Sequence, residues 1–167
     1  MKLNIIRFVL SIVAIEELYL EQLDAKTVFL HGDLDEEIYM DQPEGFLEER
    51  KRNMVCKLKK NLYGLKQVLR QWYEKFESFM HKEGNQKCNA DHYCFFKRYK
   101  SGCIILLLYV DEMVVASSNM DEIQNLKIQL SKEFDMKDLG STKKILGMQI
   151  MRDEQKGIFA VISGKVH

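Results

Sequence analysis

The stretch CIILLLYVDEMVVA (residues 103–116) decides the fold, because it places two adjacent acids inside the most apolar segment of the chain. Eight apolar residues precede Asp111 and Glu112, and four follow them. Charges in a buried segment must be paired, neutralised or bound to a cation. A purely structural alternative is a β-hairpin in which the two acids form the exposed tight turn. The two interpretations are compatible, since a turn also lets both carboxylates face a metal ion.

A third acid ends the strand predicted over residues 19–24. The segment YLEQLD alternates in polarity as a half-buried strand does, and Asp24 is its last residue. A strand-end aspartate and a hairpin carboxylate pair can gather around one or two Mg²⁺ ions, which prefer oxygen ligands. Two such ions stabilise the attacking and leaving oxygens of a phosphoryl transfer. The sequence therefore predicts a magnesium site built from Asp24, Asp111 and Glu112.

Hydrophobic periodicity places the remaining elements around this hairpin. Helices are predicted over residues 4–18, 68–83 and 121–134. Strands are predicted over 38–42, 55–60, 93–98, 103–110 and 113–116, with a closing hairpin from 143–150 and 157–162. Because the strands and helices do not alternate regularly, we expect an α+β fold with a largely antiparallel sheet and helices packed on one face.

Charge is unevenly distributed along a chain whose formal net charge is zero. The 167 residues are 46% apolar, enough for a core, and residues 16–50 hold 12 acids and 2 bases. Residues 51–100 hold 13 bases and 4 acids. Such asymmetry can mark a nucleic-acid or anion site, or two solvated faces that neutralise each other. Neutrality alone therefore does not exclude a nucleic-acid partner.

The cysteines and the N-terminus exclude other classes. The four cysteines form no CxxC pair, and together with nearby histidines they match no common zinc spacing. The apolar start of the chain has helical spacing, and Glu16 and Glu17 follow it where a signal peptide would need a cleavage site. No apolar run reaches the 18 or so residues of a membrane span. We expect an intracellular protein with no membrane partner.

Four ordered stretches resemble the reverse transcriptase of copia-type retrotransposon Pol polyproteins. They are QLDAKTVFLHGDLDEEIYMDQPEGF (22–46), VCKLKKNLYGLKQVLRQWY (55–73), ILLLYVDEMVVA (105–116) and LSKEFDMKDLGSTKKILGMQI (130–150). The resemblance implies a polymerase palm-like sheet and an RNA-directed DNA polymerase that uses two Mg²⁺ ions, with Mn²⁺ as a substitute. It also implies an RNA or DNA template-primer and deoxynucleoside triphosphates as partners; the oligomeric state stays open.

The resemblance also assigns roles to individual residues. It implies that Asp24, Asp111 and Glu112 are catalytic metal ligands. The implied nucleotide-binding residues are Phe29, Gln67, Arg70 and Tyr109, and the implied primer-contacting residues are Leu146, Gly147 and Met148. An aromatic ring at the position of Phe29 excludes a ribose 2′-hydroxyl in this family. Without the resemblance, Phe29 is equally well explained as a core residue.

The expected function depends on which part of the family the chain matches and on two substitutions relative to the family. Residues 1–153 correspond to a partial reverse transcriptase, palm with an incomplete fingers part, and 154–167 form a divergent tail. Glu112 stands where the family has aspartate, and Leu69 replaces a proline usual at that helix start. We expect a fragment of an RNA-directed DNA polymerase. The alternative is a catalytically impaired remnant that folds and at most binds nucleic acid weakly.

Overall fold

The protein is described by a computed structural model, which covers residues 3–26, 37–46, 53–59, 66–100, 102–153 and 158–163. Two compact units make up the chain. The first contains residues 1–26 and 79–167, and the second contains residues 27–78. In the described part of the chain, no helix is both long and apolar enough to cross a membrane.

Three helices and eleven strands follow one another in the described residues. The helices are α1 (Leu3–Ile15), α2 (Lys66–Lys82) and α3 (Met120–Glu133). The strands are β1 (Tyr19–Ala25), β2 (Tyr39–Met40), β3 (Cys56–Lys57), β4 (Gln86–Cys88), β5 (Asp91–Tyr99), β6 (Gly102–Tyr109), β7 (Glu112–Ser117), β8 (Met136–Ser141), β9 (Lys144–Ile145), β10 (Met148–Asp153) and β11 (Ile158–Ser163).

A six-stranded antiparallel sheet forms the centre of the first unit. Its strand order is β4-β5-β6-β7-β1-β8, so β1 enters between β7 and β8 although it comes first in the chain. A three-stranded sheet, β11-β10-β9, lies in the same unit. The α+β class and the antiparallel sheet are confirmed.

The central strands are buried on both faces, and each face has its own helix. Leu20, Val114 and Ala116 share one face and pack in a core cluster with Ile6 and Val9 of α1. On the other face, α3 contacts β7, β1 and β8. The structure therefore differs from the expectation of helices on one face. The uninterrupted apolar run of β6 was the available signal, because a strand covered on both faces loses its alternation.

Two strands of the sheet were not predicted from the sequence. They are β4 and β8, and β8 pairs with β1 from Glu21–Ser141 to Ala25–Met136. The sequence of β8, MKDLGS, contains aspartate, lysine and glycine, which are poor strand formers. Pairing with β1 outweighs this low propensity. A bulge between Gln22 and Leu23 interrupts the register.

A buried cation links α3 to β1 and β8. Lys127 Nζ donates to Glu21 Oε2 at 2.7 Å and to the two carboxylate oxygens of Asp138 at 2.8 and 2.9 Å. Ser141 Oγ donates to Glu21 Oε1 at 3.0 Å. Lys127 is 5% exposed and Glu21 is 7% exposed. We call Glu21, Lys127 and Asp138 the Lys127 cluster.

The second unit contains the short β2–β3 ladder and the start of α2. Lys57 and Tyr39 both donate hydrogen bonds to Glu37, the second at 2.6 Å, and these bonds lower the pKa of that carboxyl. On α2, the rings of Trp72 and Phe76 lie 5.7 Å apart.

Candidate active site

The hairpin between β6 and β7 has a two-residue turn, Val110–Asp111. Tyr109 and Glu112 form its closing pair, so Glu112 is the first residue of β7. The expectation that both acids form the turn is therefore corrected by one residue. Val110 has a φ of 58°, the left-handed region that mirror-image hairpin turns require and that a β-branched residue rarely adopts. This turn is a strained feature of the sheet.

Strand β1 brings Asp24 to the same hairpin. Asp24 lies directly opposite Glu112 in the β1–β7 register, and the backbone N–H of Ala25 donates to the carbonyl of Asp111 at 2.9 Å. That bond identifies Ala25–Asp111 as a hydrogen-bonded pair. The neighbouring pair Asp24–Glu112 is then the close type, with Cα atoms about 4.5 Å apart and side chains on one face. We call Asp24, Asp111 and Glu112 the carboxylate cluster.

The carboxylate cluster brings together like charges that repel one another. Partial burial raises the pKa of Glu112, and the charges of Asp111 and Asp24 raise it further. Among the described residues, no cationic side chain forms an ion pair with any of the three. Lys137 lies opposite Asp24 in the β1–β8 register without forming such a pair. The cluster is left without an internal counter-charge in this part of the chain.

The three carboxylates lie close together but do not converge on one point. Within the ranges that the structure describes, no three histidine, cysteine or acidic side chains form the arrangement of a metal-ligand set. Like charges repel each other, so nothing draws the carboxylates together in the absence of a cation. All three residues are partly exposed to solvent.

A cleft of about 560 Å³ opens beside the hairpin turn. Two members of the carboxylate cluster line it, Asp111 and Glu112, while Asp24 is connected to it through its pairing with Glu112. The other lining residues are Gln22, Tyr109, Leu139, Ser141, Lys143, Lys144, Leu146 and Gly147. Three sequence-predicted residues besides the acids therefore reach one cleft, namely Tyr109, Leu146 and Gly147.

The remaining predicted residues are either not described or contact other side chains. Phe29 lies outside the described residues, and Gln67 is described only as part of the backbone of α2. Arg70 lies on α2 in the second unit, where its Nε donates to Glu74 Oε1 at 2.9 Å. Met148 is 5% exposed and packs in the α1 core cluster instead.

Sequence reasoning missed the basic side of the cleft. Lys143 and Lys144 are both exposed and both line it. A lysine doublet separated by only Ile145 from the two-residue turn Leu146–Gly147 was a usable signal. It was overlooked because β8, which carries the chain to this position, was not predicted.

Comparison with known proteins supports the family indicated by these features. The family described as "Reverse transcriptase (RNA-dependent DNA polymerase)" matches residues 1–162. No solved structure matches the chain significantly. The matched range extends past residue 153 to include most of β11, which pairs with β10.

Three curated relatives cover most of the chain. The Retrovirus-related Pol polyprotein from transposon TNT 1-94 of Nicotiana tabacum is 55% identical over 153 residues, which are 91% of this chain and 12% of that protein. The corresponding polyprotein from transposon RE1 of Arabidopsis thaliana is 33% identical over 88% of this chain and 10% of its own length. The putative transposon Ty5-1 protein of Saccharomyces cerevisiae is 36% identical over 77% of this chain and 42% of its length.

The chain thus spans only about a tenth of the two polyproteins, and the match is confined to one of their segments. Within that segment the identity is high and the family profile covers nearly every residue. The chain belongs to the reverse transcriptase (RNA-dependent DNA polymerase) family and is a reverse transcriptase fragment of the copia retrotransposon type.

Proposed function

We propose that the carboxylate cluster binds Mg²⁺, that Mn²⁺ can replace it, and that this centre serves DNA synthesis directed by a nucleic-acid template. The observation that carries the proposal is the strand register, which sets Asp24 opposite Glu112 and beside the Asp111 turn in a member of this family. The substrates are a primer paired to an RNA or DNA template and deoxynucleoside triphosphates.

The donor chemistry of the cluster fits a hard divalent cation. All three side chains offer carboxylate oxygens, which are the ligands Mg²⁺ takes together with water and substrate phosphates. Burial and the charges of Asp111 and Asp24 raise the pKa of Glu112, so its ionised form is disfavoured, and a bound cation would offset this by compensating the negative charge. The side chains are not gathered as ligands in the described structure, so cation binding includes their rotation towards one another.

In nucleotidyl transfer, the acids and the opposite surface of the cleft would have different roles. The primer 3′-oxygen forms a bond to the α-phosphorus of the nucleotide, the bond to the bridging oxygen breaks, and pyrophosphate leaves. Asp24, Asp111 and Glu112 would hold the cations, which would supply charge stabilisation for the attacking and leaving oxygens. The surface formed by Leu146 and Gly147 lines the same cleft and would support the primer end.

The longer side chain of Glu112 is expected to impair catalysis more than cation binding. Its side chain is one methylene longer than the aspartate that the family has at this position, which moves the carboxylate by about 1.5 Å. A misplacement of about 1 Å can cost on the order of 100-fold in rate. We therefore propose that the chain retains cation binding and that its synthesis of DNA is strongly impaired. In the limit this is a non-polymerising remnant that binds nucleic acid weakly.

Terbium luminescence tests the cation centre. Tb³⁺ is a luminescent probe for oxygen-ligated sites, and Tyr109 lines the same cleft and can sensitise it. We expect Asp24→Asn to weaken Tb³⁺ binding at least tenfold and Mg²⁺ or Mn²⁺ to displace the probe. Asp121→Asn is the matched control, because Asp121 is an exposed acid on α3. Equal affinity in the wild type and in Asp24→Asn would contradict the cation centre.

Primer extension on an RNA template tests the synthetic function. We expect weak templated incorporation by the wild type, an increase on the order of 100-fold in Glu112→Asp, and none in the double variant Asp24→Asn/Glu112→Asp. If Glu112→Asp extends no better than the wild type, the explanation of impairment by the longer side chain is wrong. If neither extends at all, the proposal of DNA synthesis fails, and the Tb³⁺ measurement still decides the cation centre.

A further inference from the structure

Two of the four cysteines meet in the hairpin formed by β4 and β5. We propose that Cys88 and Cys94 are a modification site, at which exchange with a low-molecular-weight disulfide such as oxidised glutathione converts two thiols reversibly into one disulfide bond. Both cysteines are free thiols in the structure. Neither of them lines the cleft beside the β6–β7 turn, so the proposal is independent of the cation centre and of DNA synthesis.

The register of the β4–β5 hairpin brings the two cysteines together. Lys87 pairs with Phe95. In a regular antiparallel ladder, the next two residues to face each other would be Cys88 and Cys94. Instead Cys88 pairs with Asp91, and the residues of β5 that lie between these two pairs form a bulge. Cys94 is the last residue of that bulge, directly before regular pairing resumes, and it therefore stays close to Cys88.

The side chains of the two cysteines contact each other at the edge of the core. Cys94 is 6% exposed and belongs to the core cluster formed with α1, and the half-buried Cys88 packs against the same cluster. A hydrogen bond joins the two thiols. Since disulfides form between cysteines on such closely spaced backbones, rotation of the two side chains is sufficient to bring the sulfur atoms into bonding distance.

Cys103 is too far from Cys94 to compete for the disulfide. It pairs with Arg98, which lies four residues along β5 from Cys94, or about 13 Å at about 3.3 Å per residue. A disulfide requires Cα atoms within about 7 Å of each other. Cys103 is half-buried, as Cys88 is, and lies in the same sheet, so it is the matched control.

Exposure decides which of the two thiols reacts first. Burial raises the pKa of Cys94 to about 12, and the adjacent Cys88 and the charge of Asp91 add to this effect. The buried thiol is therefore rarely ionised near neutral pH, and the thiolate is the reactive form. Cys88 is the more exposed of the two and is the sulfur that a small disulfide can reach.

The exchange takes place in two steps. Cys88 loses its proton to solvent and attacks one sulfur of oxidised glutathione, whose S–S bond breaks, and the first glutathione leaves as a thiolate that takes up a proton. The sulfur of Cys94 then attacks the sulfur of Cys88, and the second glutathione leaves with the proton of Cys94. Two protein thiols are oxidised, and one glutathione disulfide is reduced to two thiols.

The disulfide would join the edge strand β4 to β5 at the bulge, where the backbone pairing is irregular. A cross-link that fits the native structure stabilises it relative to the unfolded chain. Conversely, the folded chain favours the disulfide over the two thiols by the same factor, because the two equilibria are linked. The oxidised chain is therefore expected to unfold at a higher urea concentration than the reduced chain.

Mass spectrometry of one tryptic peptide tests the proposal. The chain is equilibrated with mixtures of oxidised and reduced glutathione, in native buffer and in urea, and free thiols are then blocked with N-ethylmaleimide. Trypsin cuts after Lys87 and Lys97, so the peptide CNADHYCFFK (88–97) contains both cysteines. In native buffer we expect this peptide to be unblocked and two hydrogens lighter. The effective concentration of one thiol towards the other should be at least about tenfold higher than in urea.

Three variants separate the steps of the exchange. Cys94→Ala is expected to retain glutathione on Cys88, because the second thiol that displaces it is missing. Cys88→Ala is expected to leave Cys94 without glutathione, since that thiol is buried. Cys103→Ala, the matched control, should form the same disulfide as the wild type.

Two outcomes would overturn the proposal. One is an equal effective concentration in native buffer and in urea, which would mean that the fold does not bring the thiols together. The other is a wild type that keeps glutathione on Cys88 as Cys94→Ala does. Circular dichroism checks that each variant folds, and if Cys94→Ala does not, the comparison of wild type in native buffer and in urea still decides.

Discussion

Strand β1 carries one acid on each face, Glu21 and Asp24, and the two acids have different surroundings. Glu21 faces α3 and is neutralised by Lys127, which also binds Asp138. Asp24, three residues later, faces the other way and lies among Glu112 and Asp111 without an internal cation in the described residues. In the described residues the acids of the Lys127 cluster are paired with a cation, whereas the acids of the carboxylate cluster are not.

The difference separates a cluster that stabilises the fold from a candidate site on the same strand. Buried charges are tolerated when hydrogen-bonded partners surround them, and removal of one partner is costly. Partly exposed acids without partners cost little in water, because solvent screens them. A bound cation would relieve the mutual repulsion of the carboxylate cluster, and a cation site needs such unpaired negative charge.

The largest effect is expected from removing the cation of the Lys127 cluster. Lys127→Met leaves Glu21 buried without its partner, so we expect the free energy of unfolding to fall by about 3 kcal/mol or more. Urea unfolding measures it. Lys132→Met, an exposed change on the same helix, should remain within about 0.5 kcal/mol of the wild type.

Neutralising all three groups sharpens this test. The triple variant Glu21→Gln/Lys127→Met/Asp138→Asn should recover much of the stability that Lys127→Met loses, because no unpaired charge remains. Unfolding of Lys127→Met at the same urea concentration as Lys132→Met would show that the buried ion pair does not stabilise the fold.

A smaller, pH-dependent loss is expected at Asp138. Burial alone would raise the pKa of Asp138, but hydrogen bonds from Lys127 and Gly140 outweigh it and leave the pKa below the ordinary 3.8. The ionised form is therefore favoured in the folded state, and its stabilisation is present above pH 3.8 and lost as the pH falls through the lowered value. Asp138→Asn should cost about 1 kcal/mol at pH 7, after allowance for solvent screening of this half-exposed group.

Thermal unfolding of Asp138→Asn and wild type between pH 7 and pH 2 provides the comparison. The gap between their melting temperatures should be widest near neutrality and should close at the acidic end. A gap that does not change with pH would mean that the loss arises from packing and not from the charge.

The smallest effect, of opposite sign, is expected at Glu112. Its raised pKa means that the folded state favours the protonated form, so ionisation lowers stability as the pH rises from 4.5 through the raised value. In EDTA, Glu112→Gln should therefore be slightly more stable than the wild type above the raised pKa, by less than about 1 kcal/mol after solvent screening. Differential scanning calorimetry at pH 4 and pH 8 measures it, and lower stability of Glu112→Gln at pH 8 would refute the repulsion.

Much of the fold could be predicted from local sequence pattern. The β6–β7 hairpin, the helix periodicities and the α+β class follow from apolar spacing, which local physics controls. Strand β8 could not be predicted in this way, since the sequence MKDLGS has low strand propensity and gains its conformation from pairing with β1. The packing of a helix on the second face of the sheet could not be predicted either, because it depends on contacts between elements that are separate in the chain.

The sequence by itself indicated the family, the three acids of the carboxylate cluster and the buried hairpin. Four long ordered motifs and two acids in an apolar run are patterns of consecutive residues, which need no tertiary structure to be recognised. Only the tertiary structure decided that Asp24 lies opposite Glu112, that the turn is Val110–Asp111, and that Lys143 and Lys144 share a cleft with the acids. The first and the last of these relations join residues far apart in the chain, and strand register, which no local pattern specifies, fixes all three.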